Sequence, residues 1–298
     1  MKSYDITLLT AERYLRPTNP DWYVQQILQE DQLVSDALER KGLRVHRLDW
    51  SNKEFDWSST QFALMRAAWD YTERYSEFLN FIRNVSEKSV LINPPKTILW
   101  NIDKHYLRDL EKFGIAIPET IYIEKNESTS LRHLHHQYGL KDSILKPVMS
   151  GGARHTYRLN NHNLDQHETI FQQLISQEAM MLQPFLDSVI TYGEITLIVI
   201  GGTYTHAVLK KAKPGDFRVQ DDFGGTVHHY TPTKEEISFA ERTVSVCEPV
   251  PVYARVDLLR DNNGNLAVSE LELIEPELWF RFHPPAAEML AIEIAKMQ

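Results

Sequence analysis

Apolar positions recur with period two in several short runs and with period 3.6 in longer ones, so both strands and helices are expected. Residues 4–9 read as a strand, residues 21–41 as a helix stopped by Gly42, and residues 43–48 as a second strand, giving a β-α-β opening. Phe62, Leu64 and Met65 make a buried strand that reaches Arg66, and Trp69, Asp70 and Tyr71 then lead into a helix with Phe78, Leu79 and Ile82 on its apolar face. Asn93-Pro94-Pro95 marks a boundary. Beyond it, one helix carrying Lys104 is expected to run to Gly114, and the run SILKPVMSGGARHTYRL reads as strand, glycine turn and strand. A helix over 164–175, a strand at AMMLQPFL and a hairpin at Gly201-Gly202 follow; the second hairpin strand passes through His206, Val208 and Lys210, and Arg218 lies beyond Gly215. Helices over 234–247 and 286–296 complete the reading.

One stretch, residues 253–280, holds the most chemistry. Two alternating runs are joined by Asn263-Gly264, a strong signal for a two-residue hairpin turn. With those residues central, Asn262 pairs with Asn265, and counting back sets Asp257 opposite Glu270 and Arg255 opposite Glu272. Asp257, Glu270 and Glu272 then share a face, where like charges cost stability unless a hard divalent cation such as Mg²⁺ joins them. A calcium loop fits less well, because Leu259 falls where its first acidic ligand belongs.

Composition narrows the classes. A chain of 298 residues, 42% hydrophobic and 24% charged, suits two or three globular units. No apolar run reaches membrane-spanning length, and MKSYDITLLT opens on a strand pattern instead of a signal peptide, so a cytoplasmic location is expected. The net charge of −9 argues against a nucleic-acid surface, and the single Cys247 reads as core filler. No G-x-G-x-x-G follows the first strand, and Ser150-Gly151-Gly152 is not a Walker loop. His133, His135 and His136 read as a solvated helix face. Arg66, at a strand's C-terminal end, is placed either to grip a substrate carboxylate or to pair with Asp70 and cap the helix.

Taken in order, N-x-D-K at 101–104, I-L-K-P at 144–147, S-G-G at 150–152, L-Q-P-F at 182–185, G-E-I-T at 193–196, G-D-F-R at 215–218, R-V-D at 255–257 and E-L-E at 270–272 resemble an ATP-grasp ligase. The likeness is to the glutathione synthetase and ribosomal-protein glutamate ligase branch. Within it, R-x-x-W-D-Y at 66–71 and E-L-E-L-I-E-P at 270–276 resemble a D-cycloserine-synthetase-like group. The resemblance implies an α/β ATP-grasp fold with a Rossmann-like pre-ATP-grasp domain over 1–96, a small lid subdomain over 97–184 and a metal and nucleotide subdomain over 185–298. It gives Lys104 and Lys146 to the phosphates of ATP and Ser150, Gly151 and Gly152 to a lid. Gln183, Pro184, Phe185 and Leu186 become the adenine hinge, and Glu194 the ribose ligand. Arg218 and Arg255 would steady the transferred phosphoryl group, Asp257, Glu270 and Glu272 would hold Mg²⁺, and Arg66, Trp69, Asp70 and Tyr71 would meet the substrate. The commoner family pattern has asparagine at the position of Glu272, and Ala153 follows the glycine pair.

Chemistry supplies the corresponding reaction. A carboxylate acylates poorly until phosphorylated, so ATP would convert it to an acyl phosphate that an amine attacks, with catalysis by alignment and charge neutralisation. The expected cofactors are ATP and Mg²⁺ and the expected partners a small-molecule carboxylate and amine, with no nucleic acid and no membrane. A homo-oligomer stays open on the sequence alone. A phosphotransferase that releases its phosphorylated product and a non-catalytic nucleotide-binding protein are the alternative readings.

Overall fold

The structure, a computed structural model, describes residues 2–298. The strands β1 (Tyr4–Thr10), β2 (Val45–Asp49), β3 (Thr60–Met65) and β4 (Val90–Ile92) form a parallel sheet in the order β2-β1-β3-β4. Parallel strands need crossovers, supplied here by α1 (Glu12–Leu15), α2 (Trp22–Arg40) and α3 (Tyr75–Ser86). Asp21 starts α2 by accepting the Val24 amide at 2.8 Å, and Ile27, Val34 and Leu38 form its buried stripe.

Two antiparallel sheets follow. After α4 (Pro95–Asn101) and α5 (Tyr106–Lys112), β5 (Ile121–Ile123), α6 (Leu131–Gln137), β6 (Asp142–Pro147), β7 (Tyr157–Asn160), α7 (Leu164–Gln177) and β8 (Met180–Pro184) build a four-stranded sheet ordered β5-β8-β6-β7. Then α8 (Ser188–Thr191), β9 (Glu194–Ile200), β10 (Thr203–Lys211), β11 (Thr226–Tyr230), α9 (Lys234–Ser245), β12 (Tyr253–Arg260), β13 (Leu266–Glu272) and α10 (Pro285–Ala295) complete the chain around a five-stranded sheet, β11-β10-β9-β12-β13.

Alternation decides what each face of that larger sheet meets. Ile195, Leu197, Val199, Val256 and Leu271 point to one side and pack with Leu107 of α5 and Phe239 and Val244 of α9. On the other face, Ile198, Ile200, Val208 and Tyr253 join Leu290 and Ile294 of α10 and Val34 and Leu38 of α2 in one core with the parallel sheet. Farther along the same face stand Glu194, Thr196, Asp257 and Glu270, which α10 does not cover.

Three local expectations change. The helix expected from residue 97 to Gly114 is broken: α4 ends at Asn101 and α5 starts at Tyr106. In the gap, Asp103 accepts the His105 amide at 2.9 Å, and the Lys104 amide donates to Val148 O at 2.9 Å, outside the helical ladder. The break lets Asn101 and Tyr106 close the free edge of β13, where Asn101 bonds the Leu271 carbonyl and the Leu273 amide and the Tyr106 hydroxyl accepts the Leu271 amide. His135 is 3% exposed, its Nε2 lying 2.9 Å from Ser143 Oγ, so it belongs to the interior and not to a solvated face. Cys247 is buried as expected.

The third change concerns the hairpin turn. Asp261 pairs with Asn265, Gly264 N donates to Asp261 O at 2.9 Å, and Gly264 takes φ +88°, giving a three-residue connection instead of two. That alone would slip the register by one residue. A bulge at Ser269 restores it: Leu258 pairs with Val268, but Asp257 with Glu270 and Arg255 with Glu272.

Candidate active site

A cavity of about 660 Å³ lies between the two antiparallel sheets and reaches the ends of the N-terminal strands. Period-two alternation brings Glu194 on β9, Lys210 on β10, Arg255 and Asp257 on β12 and Glu270 and Glu272 on β13 to its wall, with Lys146 of β6 contributed by the other sheet. Lys104 enters from the α4–α5 break, only 6% exposed.

The carboxylates are interleaved with cations. Lys104 Nζ lies 2.9 Å from Glu270 and donates to Ser150 O at 2.5 Å. Arg255 pairs with both Asp257, at 2.8 Å, and Glu272. Asp257, 1% exposed, also accepts from Thr196 at 2.6 Å and from Lys210 at 3.1 Å. Burial works against its charge, but Arg255 and Lys210 hold its carboxyl below the usual range. Glu270 is likewise held down, against burial, by Lys104 and Lys146. Glu272 goes the other way: burial, with Glu270 and Asp257 nearby, outweighs Arg255 and raises it to about 8. Lys146 has no carboxylate within salt-bridge distance among the described residues, and burial lowers its pKa.

Lys210 is a functional candidate that the sequence reading missed. Its ammonium sits 2.6 Å from Glu194 and 3.1 Å from Asp257. Burial disfavours that charge, yet Asp257 and Glu194 raise its pKa above the ordinary value. Counting from the Gly201-Gly202 turn would set Lys210 against Gly193. An irregularity between Tyr204 and His206 shifts the pairing by one residue and sets Lys210 across from Glu194. Gly193 supports this approach: at φ +113°, a Cβ there would lie 2.5 Å from the Lys210 carbonyl.

Other expected residues fall as follows. Gly152 has φ +57° in the connection between β6 and β7, and Ser150, Gly151 and Gly152 line the cavity. Gln183 Nε2 donates to Thr120 at 2.8 Å. The Phe185 amide is taken by Asp142 O and its carbonyl by Asn262, with the Arg158 guanidinium 3.6 Å above its ring. Pro184 and Leu186 line the same end, and among the described residues no acceptor takes the Leu186 amide. Arg218 donates to Asp216 at 2.7 Å and lies 4.1 Å over the Phe223 ring.

Arg66 is a correction. It is 3% exposed, does not line the cavity, and pairs not with Asp70 but with Glu30 of α2 at 2.7 Å, with Asp31 3.6 Å away. Asp70 is also turned away, accepting from Trp50 at 2.8 Å and Arg74 at 2.9 Å. Trp69 and Tyr71 do line the cavity, and the Trp69 indole donates to Glu275 O at 2.9 Å. Glu275, part of the E-L-E-L-I-E-P run, lines it too, as do Glu277, Asp221 and Asp222, which the sequence left unremarked because they lie in connections without period.

The acidic trio suits a metal. One oxygen from each of Asp257, Glu270 and Glu272 lies within 4.8 Å of the others, a hard-oxygen set matching Mg²⁺. Lys104, Arg255 and Lys210 add positive charge beside the trio.

Residues 6–93 match the family described as the N-terminal domain of D-cycloserine synthetase DcsG, and residues 108–249 match the ATP-grasp domain of prokaryotic glutathione synthetase. The chain belongs to the ATP-grasp ligases. Among relatives of this ATP-grasp ligase, the cycloserine biosynthesis protein DcsG of Streptomyces lavendulae is 28% identical over 281 residues, 88% of this chain and 91% of that one. The crystal structure of D-cycloserine synthetase DcsG superposes with a TM-score of 0.83 at 24% identity, covering 98% of this chain and 99% of the other. D-alanine–D-alanine ligase from Bacillus anthracis, complexed with ATP, superposes at 0.65 with 14% identity, covering 98% and 96%. These superpositions share the ATP-grasp fold. No helix of this ligase's described residues is long and apolar enough to cross a membrane.

Proposed function

We propose that this ATP-grasp ligase joins a small amino acid or derivative, through its carboxylate, to an amine by way of an acyl phosphate, releasing ADP and phosphate. The observation that carries the reading is the composition of the cavity wall. Lys104, Lys146, Lys210, Arg218 and Arg255 line it, and it contains no histidine or cysteine among the described residues. A wall rich in fixed positive charge but without those nucleophiles suits activation on the substrate and not on the enzyme.

In this reading Lys104 and Lys146 hold phosphate oxygens, and Ser150, Gly151 and Gly152 close over them. The open Leu186 amide, beside Gln183, Pro184 and Phe185, serves the adenine edge, and Glu194 faces the ribose. Arg218 and Arg255 draw charge from the migrating phosphoryl group. Asp257, Glu270 and Glu272 would hold Mg²⁺, which supplies charge neutralisation on phosphate oxygens. Trp69 and Tyr71 wall the substrate end. Residues 1–96, 97–184 and 185–298 would act as substrate, lid and metal units, each holding one sheet.

The test is isotopic. With oxygen-18 in the substrate carboxylate, label should pass to the released phosphate while ADP accumulates. AMP with pyrophosphate would mean adenylation instead, and a stable phosphorylated product would identify a phosphotransferase.

A further inference from the structure

The bulge in the β12–β13 hairpin does more than restore a register. The longer turn must be offset by one extra residue somewhere along β13 if Asp257 is to meet Glu270, but that requirement leaves the position open. Here the ladder runs without interruption from Arg260 opposite Leu266 to Leu258 opposite Val268, and skips one residue immediately before Glu270. The skipped residue is Ser269.

Its place decides which way the side chain points. Leu266, Val268, Leu271 and Leu273 of β13 all belong to the core that packs against α5 and α9. Between Val268 and Leu271, two consecutive residues stand outside that core, Ser269 and Glu270, and both line the cavity. An unbulged strand would turn one of them into the core, because its side chains alternate. The bulge therefore adds a hydroxyl to the cavity wall without removing Glu270 from it.

What that hydroxyl meets is Glu194 on β9. Ser269 Oγ lies 3.0 Å from Glu194 Oε2 and 3.0 Å from the Asp257 carbonyl oxygen. A hydroxyl has one hydrogen to give, and a carboxylate is the stronger acceptor of the two. The other Glu194 oxygen, Oε1, is held by Lys210 at 2.6 Å. Each oxygen of Glu194 thus has one donor from the protein and keeps lone-pair capacity for another. The side chain is 13% exposed, on the cavity wall, so this capacity faces the cavity. A carboxylate gripped at both oxygens cannot turn freely about its last bond, and it suits a vicinal diol that donates one hydrogen to each oxygen.

We propose that Ser269 is a positioning residue that sets the sugar specificity of the nucleotide site. By holding Glu194 Oε2 while Lys210 holds Oε1, it presents both oxygens to the two hydroxyls of a ribonucleotide and disfavours deoxyribonucleotides. The proposal rests on the reading of Glu194 as the ribose ligand and deepens it, since a glutamate free to turn would take either sugar by a single hydroxyl. Ser269 acts through Glu194 and not on the reacting atoms.

Binding can be read without turnover by titration calorimetry of the full chain with Mg²⁺ and ADP, 2′-deoxy-ADP or 3′-deoxy-ADP. The wild type should bind ADP about tenfold or more tightly than either deoxy analogue. Ser269→Ala should narrow that ratio to about threefold or less, chiefly by weakening ADP, and Ser269→Thr, which returns the hydroxyl, should restore it to within about twofold of the wild type. Glu194→Gln should lose the preference as well. Thermal melts confirm that the variants fold. With the preference present in the wild type and lost in Glu194→Gln, three results would each overturn the proposal while leaving the ribose reading in place: an unchanged ratio in Ser269→Ala, a uniform weakening of all three nucleotides, or no restoration in Ser269→Thr. The ribose reading itself fails, and the proposal with it, if the wild type shows no preference or Glu194→Gln keeps it.

Discussion

Arg66 donates to Glu30 Oε1 at 2.7 Å, and the same carboxylate accepts the Leu278 amide at 2.6 Å and the Phe280 amide at 3.2 Å. The pair therefore ties α2 to the segment that carries Glu275, Glu277 and Trp279 into the cavity. Both side chains are nearly excluded from solvent, at 3% and 4%. Removing one partner strands the other, so Arg66→Ala should lower stability by about 3–5 kcal/mol. Denaturant melts will show this, and the remaining folded protein should bind Mg²⁺·ATP as before. Full stability with lost substrate response would return Arg66 to the substrate.

Asp257→Asn should be costly even without metal. A sequence-level view has three opposed carboxylates, so that removing one relieves repulsion. The structure instead gives Asp257 to Arg255, Lys210 and Thr196. The variant should lose about 2–4 kcal/mol in the apo protein and bind Mg²⁺·ATP more weakly. Calorimetry and denaturant titration report the two effects independently.

Lys210 and Glu194 should couple strongly. Lys210→Met leaves Glu194 and Asp257 short of a cation, at a cost of about 3–5 kcal/mol. Adding Glu194→Gln should recover part of this, giving a coupling of about 1–3 kcal/mol in a double-mutant cycle. Strict additivity would mean that the contact contributes nothing.

Glu275 sets a pH dependence. Burial raises its carboxyl from 4.5 to about 7, so the folded state holds a proton that the unfolded chain has released. Its contribution is complete below about pH 4.5 and is lost as the pH rises to about 7. Relative to Glu275→Gln, the wild type should thus lose stability at up to about 1 kcal/mol per pH unit across that window. A difference that is flat, or that grows with pH, would contradict this assignment. Comparing the two proteins cancels the opposing slope of His206, whose pKa burial lowers to about 4.

The sequence by itself determined whatever repeats locally. Period-two and period-3.6 patterns located most of the strands, though not β4 or β11, and the long helices, and ordered motifs pointed to the ATP-grasp fold and to Lys104, Lys146, Arg255, Asp257, Glu270 and Glu272 as neighbours in one cavity. Even the pairing of Asp257 with Glu270 was legible, though for an incomplete reason: the turn is one residue longer than Asn263-Gly264 suggests, and the bulge at Ser269 compensates. Tertiary structure alone decided the rest. A bulge carries no periodic signal, so the shift that brings Lys210 to Glu194 could not be counted from the Gly201-Gly202 turn. Side-chain pairing across distant segments has no sequence spacing either, which is why Arg66, at a strand end suited to a ligand, belongs to Glu30 thirty-six positions earlier. The acidic end of the cavity arises the same way, because Tyr23 of α2 and Trp69, Asp222 and Glu277 of three separate connections meet only when α2, α10 and the two sheets share a core.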